Sequence, residues 1–285
     1  MKDLINKKFV SNLNEYFISK GREKILLKKK LNKLSNKIKK SYILKSDLYI
    51  IFKNIIPNND KNLKKKLLLI ARLFGNLLKQ NKSGKYYLEI TPDLKKLKRL
   101  KKEKVKENLR YHQTNLGGSI HSDGPQHNHP PRYLFMFVNK SAKKGGGTVV
   151  VNTKKVYRNI KRNYPKEFKI LTNKFLFERR GFYTNKKNAI FKKRIFTSGK
   201  NKFCFRYLRE YIEKGYFLSK KLLSDDQKEA LNVLDKKLQS NVFQKKYNLK
   251  TGDMILLNNN ILAHGRTGFK IESNSKRSLY RMWVK

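Results

Sequence analysis

The stretch "GDMILLNNNILAHGRTGF", residues 252–269, places two apolar runs on either side of three asparagines. Each run is short and bounded by turn residues, so the pair reads as two strands joined by an Asn-rich turn, as in a hairpin. His264 follows the second run directly. More than a hundred residues upstream lies "GGSIHSDGPQHNHPP", residues 117–131, which holds three of the chain's five histidines. That segment is either a metal site or a polar loop that happens to be histidine-rich. His121 and Asp123 are one residue apart, and on a strand residues i and i+2 share a face. An imidazole nitrogen and a carboxylate oxygen could then meet one metal ion. An H-x-D alone is common by chance. With His264 it makes two histidines and one carboxylate, the facial triad that holds non-haem iron(II) and leaves three positions open.

The C-terminal "KRSLYRMWVK", residues 276–285, alternates like a strand, with Arg277, Leu279, Arg281 and Trp283 on one face. Two arginines on an apolar face are costly to bury unless an anion meets them. Guanidinium is suited to gripping a carboxylate with two hydrogen bonds. On the residues alone, a pair of surface arginines on an edge strand is the competing reading. "KYYLEI" and "RYLFMFV" read as further strands, and "GGGTVVVNT" as a glycine turn entering another. "VYRNIKRNYPKEFKIL" reads as helix. The first ~60 residues are helical by periodicity. Leu27, Leu31, Leu34 and Ile38 form one apolar stripe opposite a lysine face. "IIPNND" interrupts the pattern, and a second amphipathic helix is expected over Lys64–Leu78. Helices early and strands late suggest a mainly β core with helices outside it.

Composition bounds the class. The 285 residues are enough for a substantial core, and 38% are hydrophobic, which excludes compositional disorder. No apolar run approaches the ~20 residues of a membrane helix, and the start lacks the apolar centre of a secretory signal. The single cysteine, Cys204, excludes an internal disulfide framework and fits a reducing, cytoplasmic setting. Among Phe203 and Phe205 it is expected to be buried and inert. The net charge of +50 invites a polyanion partner. Yet the lysines are spread along the chain, in runs such as Lys28–Lys30, Lys64–Lys66 and residues 94–104. That distribution fits solvated faces and weak, salt-sensitive binding to polyanions. The interleaved aromatics and arginines of "FCFRYLREYIEKGY" fit core packing with snorkelling arginines.

"HSD", "GGGT", "GDMILLNNNILAHGRTGF" and "KRSLYRMW" occur in an order and spacing that resemble the TauD/TfdA family. These are iron(II)- and 2-oxoglutarate-dependent dioxygenases, with the clavaminate-synthase-like enzymes as close relatives. The resemblance runs from about Leu67 to the C-terminus, and "HGRTGF" followed by "RSLYR" is its most specific part. It implies a double-stranded β-helix, the cupin-like jelly roll, over residues 61–285. Residues 1–60 would be a helical extension packed on it. It implies His121, Asp123 and His264 as iron ligands, and Arg277 with Thr148 as the grip on the distal carboxylate of 2-oxoglutarate. Arg281 matches a position that in some members holds an anionic group of the substrate. Ser119 and Gln126 flank the triad and are candidates to face the substrate.

The implied reaction consumes O2 and 2-oxoglutarate, releases succinate and CO2, and oxidises a C–H bond of a small, anionic or amino-acid-like molecule. Hydroxylation is the usual outcome. Relatives that halogenate lack the carboxylate ligand, so Asp123 argues against halogenation. His127 and His129 have no counterpart among the ligands and are expected in the loop over the site; His112 is expected to be structural. Two alternatives stay open: a retired dioxygenase core that binds nucleic acid, and an enzyme whose substrate is tethered to an acidic carrier protein.

Overall fold

In β5 (Tyr133–Lys140), Tyr133, Phe135 and Phe137 fall on one face and Leu134, Met136 and Val138 on the other, and all six are buried. A strand apolar on both faces has to be covered on both, which calls for a layered arrangement. The structure, a computed structural model, describes residues 2–45, 47–57, 60–81, 83–93, 114–180, 188–199, 202–271 and 276–285. His112 and the lysine-rich stretch 94–104 lie outside the described residues.

Among the described residues, two antiparallel sheets make the core. The larger runs β1 (Tyr49–Phe52), β12 (Met254–Asn258), β5, β14 (Ser278–Val284) and then β2 (Leu77–Leu78), with β3 (Tyr87–Ile90) also pairing β14. The smaller runs β11 (Gln244–Tyr247), β6 (Thr148–Asn152), β13 (Leu262–Arg266) and β4 (Gly118–His121). Leu134, Met136, Val138, Val150, Ile255, Leu257, Leu262, Leu279 and Trp283 form one apolar cluster between them. This is the expected double-stranded β-helix, with its strands' inner faces turned on one another.

Each sheet's outer face carries helices. Phe135, Phe137, Met254, Leu256, Tyr280 and Met282 pack with residues of α1 (Lys2–Ile18), α2 (Gly21–Ile38) and α3 (Leu63–Arg72). In α2, Leu27, Leu31 and Ile38 are buried and Leu34 packs partly against the same cluster, as the stripe predicts. On the other side, Ile120, Val149, Val151 and Ala263 pack with residues of α4 (Thr153–Asn163), α5 (Pro165–Leu171), α6 (Arg209–Leu218) and α7 (Asp225–Gln239). The helix expected over "VYRNIKRNYPKEFKIL" is therefore two, broken at Tyr164 because Pro165 cannot continue the ladder. Two hairpins, β7 (Lys174–Glu178) with β8 (Ile190–Arg194) and β9 (Phe196–Gly199) with β10 (Lys202–Phe205), add to that side.

Three expectations need correction. The helix expected over Lys64–Leu78 ends at Arg72, and Leu77–Leu78 is the strand β2. β12 and β13 do not form a hairpin: β12 pairs β1 and β5 in the larger sheet, and β13 pairs β6 and β4 in the smaller. Residues 259–261 are a crossover between sheets. The first sixty residues are not all helix either. A π-helical turn at Lys39–Ile43 leads to β1, which pairs β12 from Tyr49↔Leu257 to Phe52↔Met254. The larger sheet thus begins before residue 60.

Candidate active site

The β4–β13 pairing sets His121 directly opposite His264, with ring centroids 4.6 Å apart. Distant sequence positions meet because they are cross-strand partners, whose side chains share one face. Asp123 lies two residues beyond His121, just past the end of β4. The shared strand face expected of the H-x-D pair is therefore supplied instead by a bend. His121, Asp123 and His264 each offer a ligand atom within 4.8 Å of the others, and among the described residues they are the cluster that could hold a metal ion.

The backbone around this cluster is fastened from several sides. Asn259, in the crossover, accepts from the Asp123 amide at 2.8 Å and donates to the carbonyls of Asp123 and Pro131 at 3.0 and 2.8 Å. Ser122 donates its amide to Tyr207 and accepts the Tyr207 amide on its hydroxyl. Arg206 is buried and donates to the carbonyls of Pro125, His127 and Asn128, which shapes the loop after Asp123. Replacing Asn259 with alanine orphans one amide and two carbonyls, groups worth ~1–3 kcal/mol each when buried unpaired. The expected loss of stability is at least about 3 kcal/mol, read as a lowered urea midpoint at unchanged slope.

The protonation states suit ligation. Burial pushes the His264 imidazole down to about 3, helped by the neighbouring His121. Burial likewise lowers His121, against the pull of Asp123. Both rings are thus held neutral, the form that binds a metal. His121 Nδ1 lies 2.6 Å from the Ser119 carbonyl, which leaves Nε2, 3.7 Å from Asp123 Oδ1, facing the cluster. His264 Nδ1 is buried and has no hydrogen-bond partner among the described residues. For Asp123, burial raises the carboxyl, but the charge of Arg281 and the Trp283 N–H bring it below its ordinary value. A buried carboxylate and two neutral imidazoles, one of them with an orphaned ring nitrogen, are a donor set that fits a divalent iron ion.

These residues line a cavity of about 510 Å³ that also meets Thr148, Arg277, Leu279, Arg281 and Trp283. β14 places Leu279, Arg281 and Trp283 on its inner face as expected, with Arg277 just before its first residue. Arg277 is buried, donates to the Gly146 carbonyl at 3.2 Å, and sets its guanidinium 5.4 Å from the centre of the Phe269 ring. Gly146 has φ +74°, and a Cβ there would lie 2.9 Å from Arg277 Nε. The glycine turn thereby admits both the backbone twist and the close guanidinium. Thr148, first residue of β6, is buried and faces the same cavity. A buried guanidinium beside a hydroxyl fits the distal carboxylate of 2-oxoglutarate.

Other sequence-derived candidates fall differently. Gln126 lines the cavity, and its Oε1 is buried without a partner among the described residues. Ser119 does not line it. It lines a separate cavity with Tyr207, Asp235 and Leu238, because Gly118 and Ser119 both take positive φ at the irregular β4–β13 register. Its contribution is the carbonyl on His121. Arg281 faces the cavity but is already engaged: Nη1 donates to Asp123 Oδ1 at 3.0 Å and Nε to Gln80 Oε1 at 3.1 Å. His127 sits edge-on to Trp283 at 5.5 Å, while His129 is exposed. Cys204 is half-buried, and burial pushes its thiol up, which disfavours the thiolate.

Several residues escaped the sequence reading. Arg266 lines the cavity two residues after His264, and the alternation that paired His121 with Asp123 would have found it. It is buried and donates to the Thr114 carbonyl at 2.6 Å. Gln80, Arg180, Glu210 and Tyr211 also line the cavity, with Arg180 paired to Glu210 and set over the Tyr211 ring. Nothing in the local sequence marks these four.

The model of the taurine catabolism dioxygenase TauD, TfdA family matches residues 43–283. The chain belongs to that family. As a TauD/TfdA member it is a 2-oxoglutarate-dependent non-haem iron dioxygenase, and the match begins well before Leu67. No curated protein sequence matches it. Among solved structures, asparagine oxygenase in complex with Fe(II), 2S,3S-3-hydroxyasparagine and succinate is 12% identical, with a TM-score of 0.67 over 98% of this chain and 90% of that one. The non-heme iron oxygenase OrfP in complex with Fe and alpha-ketoglutaric acid is 12% identical, with a TM-score of 0.65 over 99% and 92%. A taurine dioxygenase from Burkholderia xenovorans is 13% identical, with a TM-score of 0.60 over 88% and 80%. These likenesses bear out the cupin-type fold. Among the described residues no helix is long and apolar enough to cross a membrane.

Proposed function

We propose that this dioxygenase hydroxylates an unactivated C–H bond of a small amino-acid-like molecule, with iron held by His121, Asp123 and His264. The observation that carries the reading is the cross-strand His121–His264 pair with Asp123 beside it, in the cavity that Arg277 also enters. When bound, iron(II) with 2-oxoglutarate and O2 supplies the oxidising chemistry, with succinate and CO2 as by-products. The protein's residues orient and enclose. Arg277 pairs with the distal carboxylate of 2-oxoglutarate, and Thr148 adds a hydroxyl to the same group. Leu279, Met136 and Ile90 add apolar surface to the cavity lining.

The cavity's charge supports an anionic or zwitterionic substrate. Its lining includes four guanidinium groups, of Arg180, Arg266, Arg277 and Arg281, against two carboxylates, of Asp123 and Glu210. Arg281 spends Nη1 and Nε on Asp123 and Gln80, so Nη2 is the nitrogen a substrate carboxylate would meet. Gln126, with its unpartnered carbonyl oxygen, and Glu210 are suited to accept from an ammonium group. The asparagine and arginine derivatives bound in the similar asparagine oxygenase and OrfP structures support the same substrate class. A retired core that binds nucleic acid has no support in a site whose ligand set is complete. The many exposed lysines fit weak, salt-sensitive association with polyanions, including an acidic carrier.

The test is anaerobic reconstitution with iron(II) and 2-oxoglutarate, which is expected to give a visible metal-to-ligand charge-transfer band. Amino acids are then screened for substrate-coupled succinate release in air. A protein that forms no such band would lose the iron assignment. One that forms it but responds only to non-amino-acid metabolites would lose the substrate class.

A further inference from the structure

Asp123 has two carboxylate oxygens, and the structure gives each a different neighbour. Oδ1 faces the histidines, 3.7 Å from His121 Nε2, and accepts from Arg281. Oδ2 accepts from the Trp283 indole N–H at 2.9 Å. Indole nitrogen is a donor only, so this contact can cap an oxygen but cannot hand it on. Trp283 is almost wholly buried on β14, which is paired on both sides, and its ring lies against His127 and the Arg281 guanidinium. Asn259 fixes the Asp123 backbone on both its amide and its carbonyl. The freedom left to the carboxylate is rotation about its own side-chain bonds, and the indole N–H resists that rotation.

The coordination arithmetic makes this contact matter. Three protein donors leave a six-coordinate iron three positions. The chelating end of 2-oxoglutarate needs two and dioxygen needs one. A carboxylate bound through both oxygens would fill the last. We infer that Trp283 is a positioning residue whose N–H caps Asp123 Oδ2, holds the carboxylate to one-oxygen ligation and so keeps the dioxygen position open. The inference rests on the proposed iron site and names what regulates access to it.

Trp283 is the chain's one tryptophan, so replacing tryptophan throughout the protein changes this position alone. The 285-residue chain is prepared as Trp283→Phe and, separately, with tryptophan replaced by its benzothienyl isostere, which keeps the ring shape and lacks the N–H. The isostere keeps the test valid if the phenylalanine variant folds poorly. Iron(II) affinity, the 2-oxoglutarate charge-transfer band and nitric oxide binding to the iron–2-oxoglutarate form are measured without oxygen. Nitric oxide serves as the dioxygen probe and is read by electron paramagnetic resonance. Loss of an outer hydrogen bond at a metal site typically costs about 10- to 100-fold. Here that loss is expected in nitric oxide affinity, with iron(II) affinity held or increased. Unchanged nitric oxide binding, or equal weakening of iron, 2-oxoglutarate and nitric oxide, would overturn the inference. Failure of the unsubstituted protein to bind iron would overturn the functional reading and the inference with it.

Discussion

Asp123→Ala is expected to end succinate formation and to destabilise the fold at the same time. The first effect follows from ligand count, since two imidazoles alone no longer define a facial set. The second follows from what the carboxylate holds in the absence of metal. It is the acceptor for the Arg281 guanidinium at 3.0 Å and for the Trp283 N–H at 2.9 Å, with its own side chain 4% exposed and that of Arg281 13%. Removing one partner of a buried pair costs ~3–5 kcal/mol. Arg281 keeps Gln80 and some access to solvent, which favours the lower end, about 3 kcal/mol. Succinate assays and urea denaturation read the two effects separately. Full turnover by this variant would remove Asp123 from the iron site, and unchanged stability would mean that Arg281 finds another anion.

Arg277→Ala is expected to leave iron binding intact and to weaken 2-oxoglutarate severely. The guanidinium is buried, backed by Phe269 and anchored on the Gly146 carbonyl, so it meets its anion preorganised and away from bulk water. Truncating one partner of such a pair costs roughly 2–5 kcal/mol, at least about 30-fold in Kd. Titrating 2-oxoglutarate into the anaerobic iron(II) protein and following the charge-transfer band gives the number. An unchanged apparent affinity would count against the assignment. Parallel loss of iron affinity would place the damage in the fold.

Much of the site was legible because strand alternation is a strong local signal. Residues 277, 279, 281 and 283 were expected on one face, and they line one cavity. The α2 stripe was legible for the same reason at helical spacing. The hairpin expected at residues 252–266 was misread because periodicity reports how each strand is buried and is silent on which sheet the next strand joins. β1 was missed because Tyr49–Phe52 is a continuous apolar run, which looks alike in a strand and in a buried helix turn. Ser119 was misplaced because its positive φ belongs to an irregular register that no side-chain pattern announces. Arg281 was expected to await a substrate, and its bond to Asp123 depends on a turn geometry beyond strand alternation.

The pairing of β14 has a consequence for how the protein is made. That strand lies between β5 on one side and β2 with β3 on the other, while β1 closes on β12. Almost every neighbour in the larger sheet is therefore far away along the chain, and such non-local topologies fold slowly. During vectorial synthesis the ribosome must release residue 284 before the inner strand can be inserted. Until then β2, β3 and β5 expose unpaired edges, and the nascent polypeptide stays aggregation-prone until β14 has emerged.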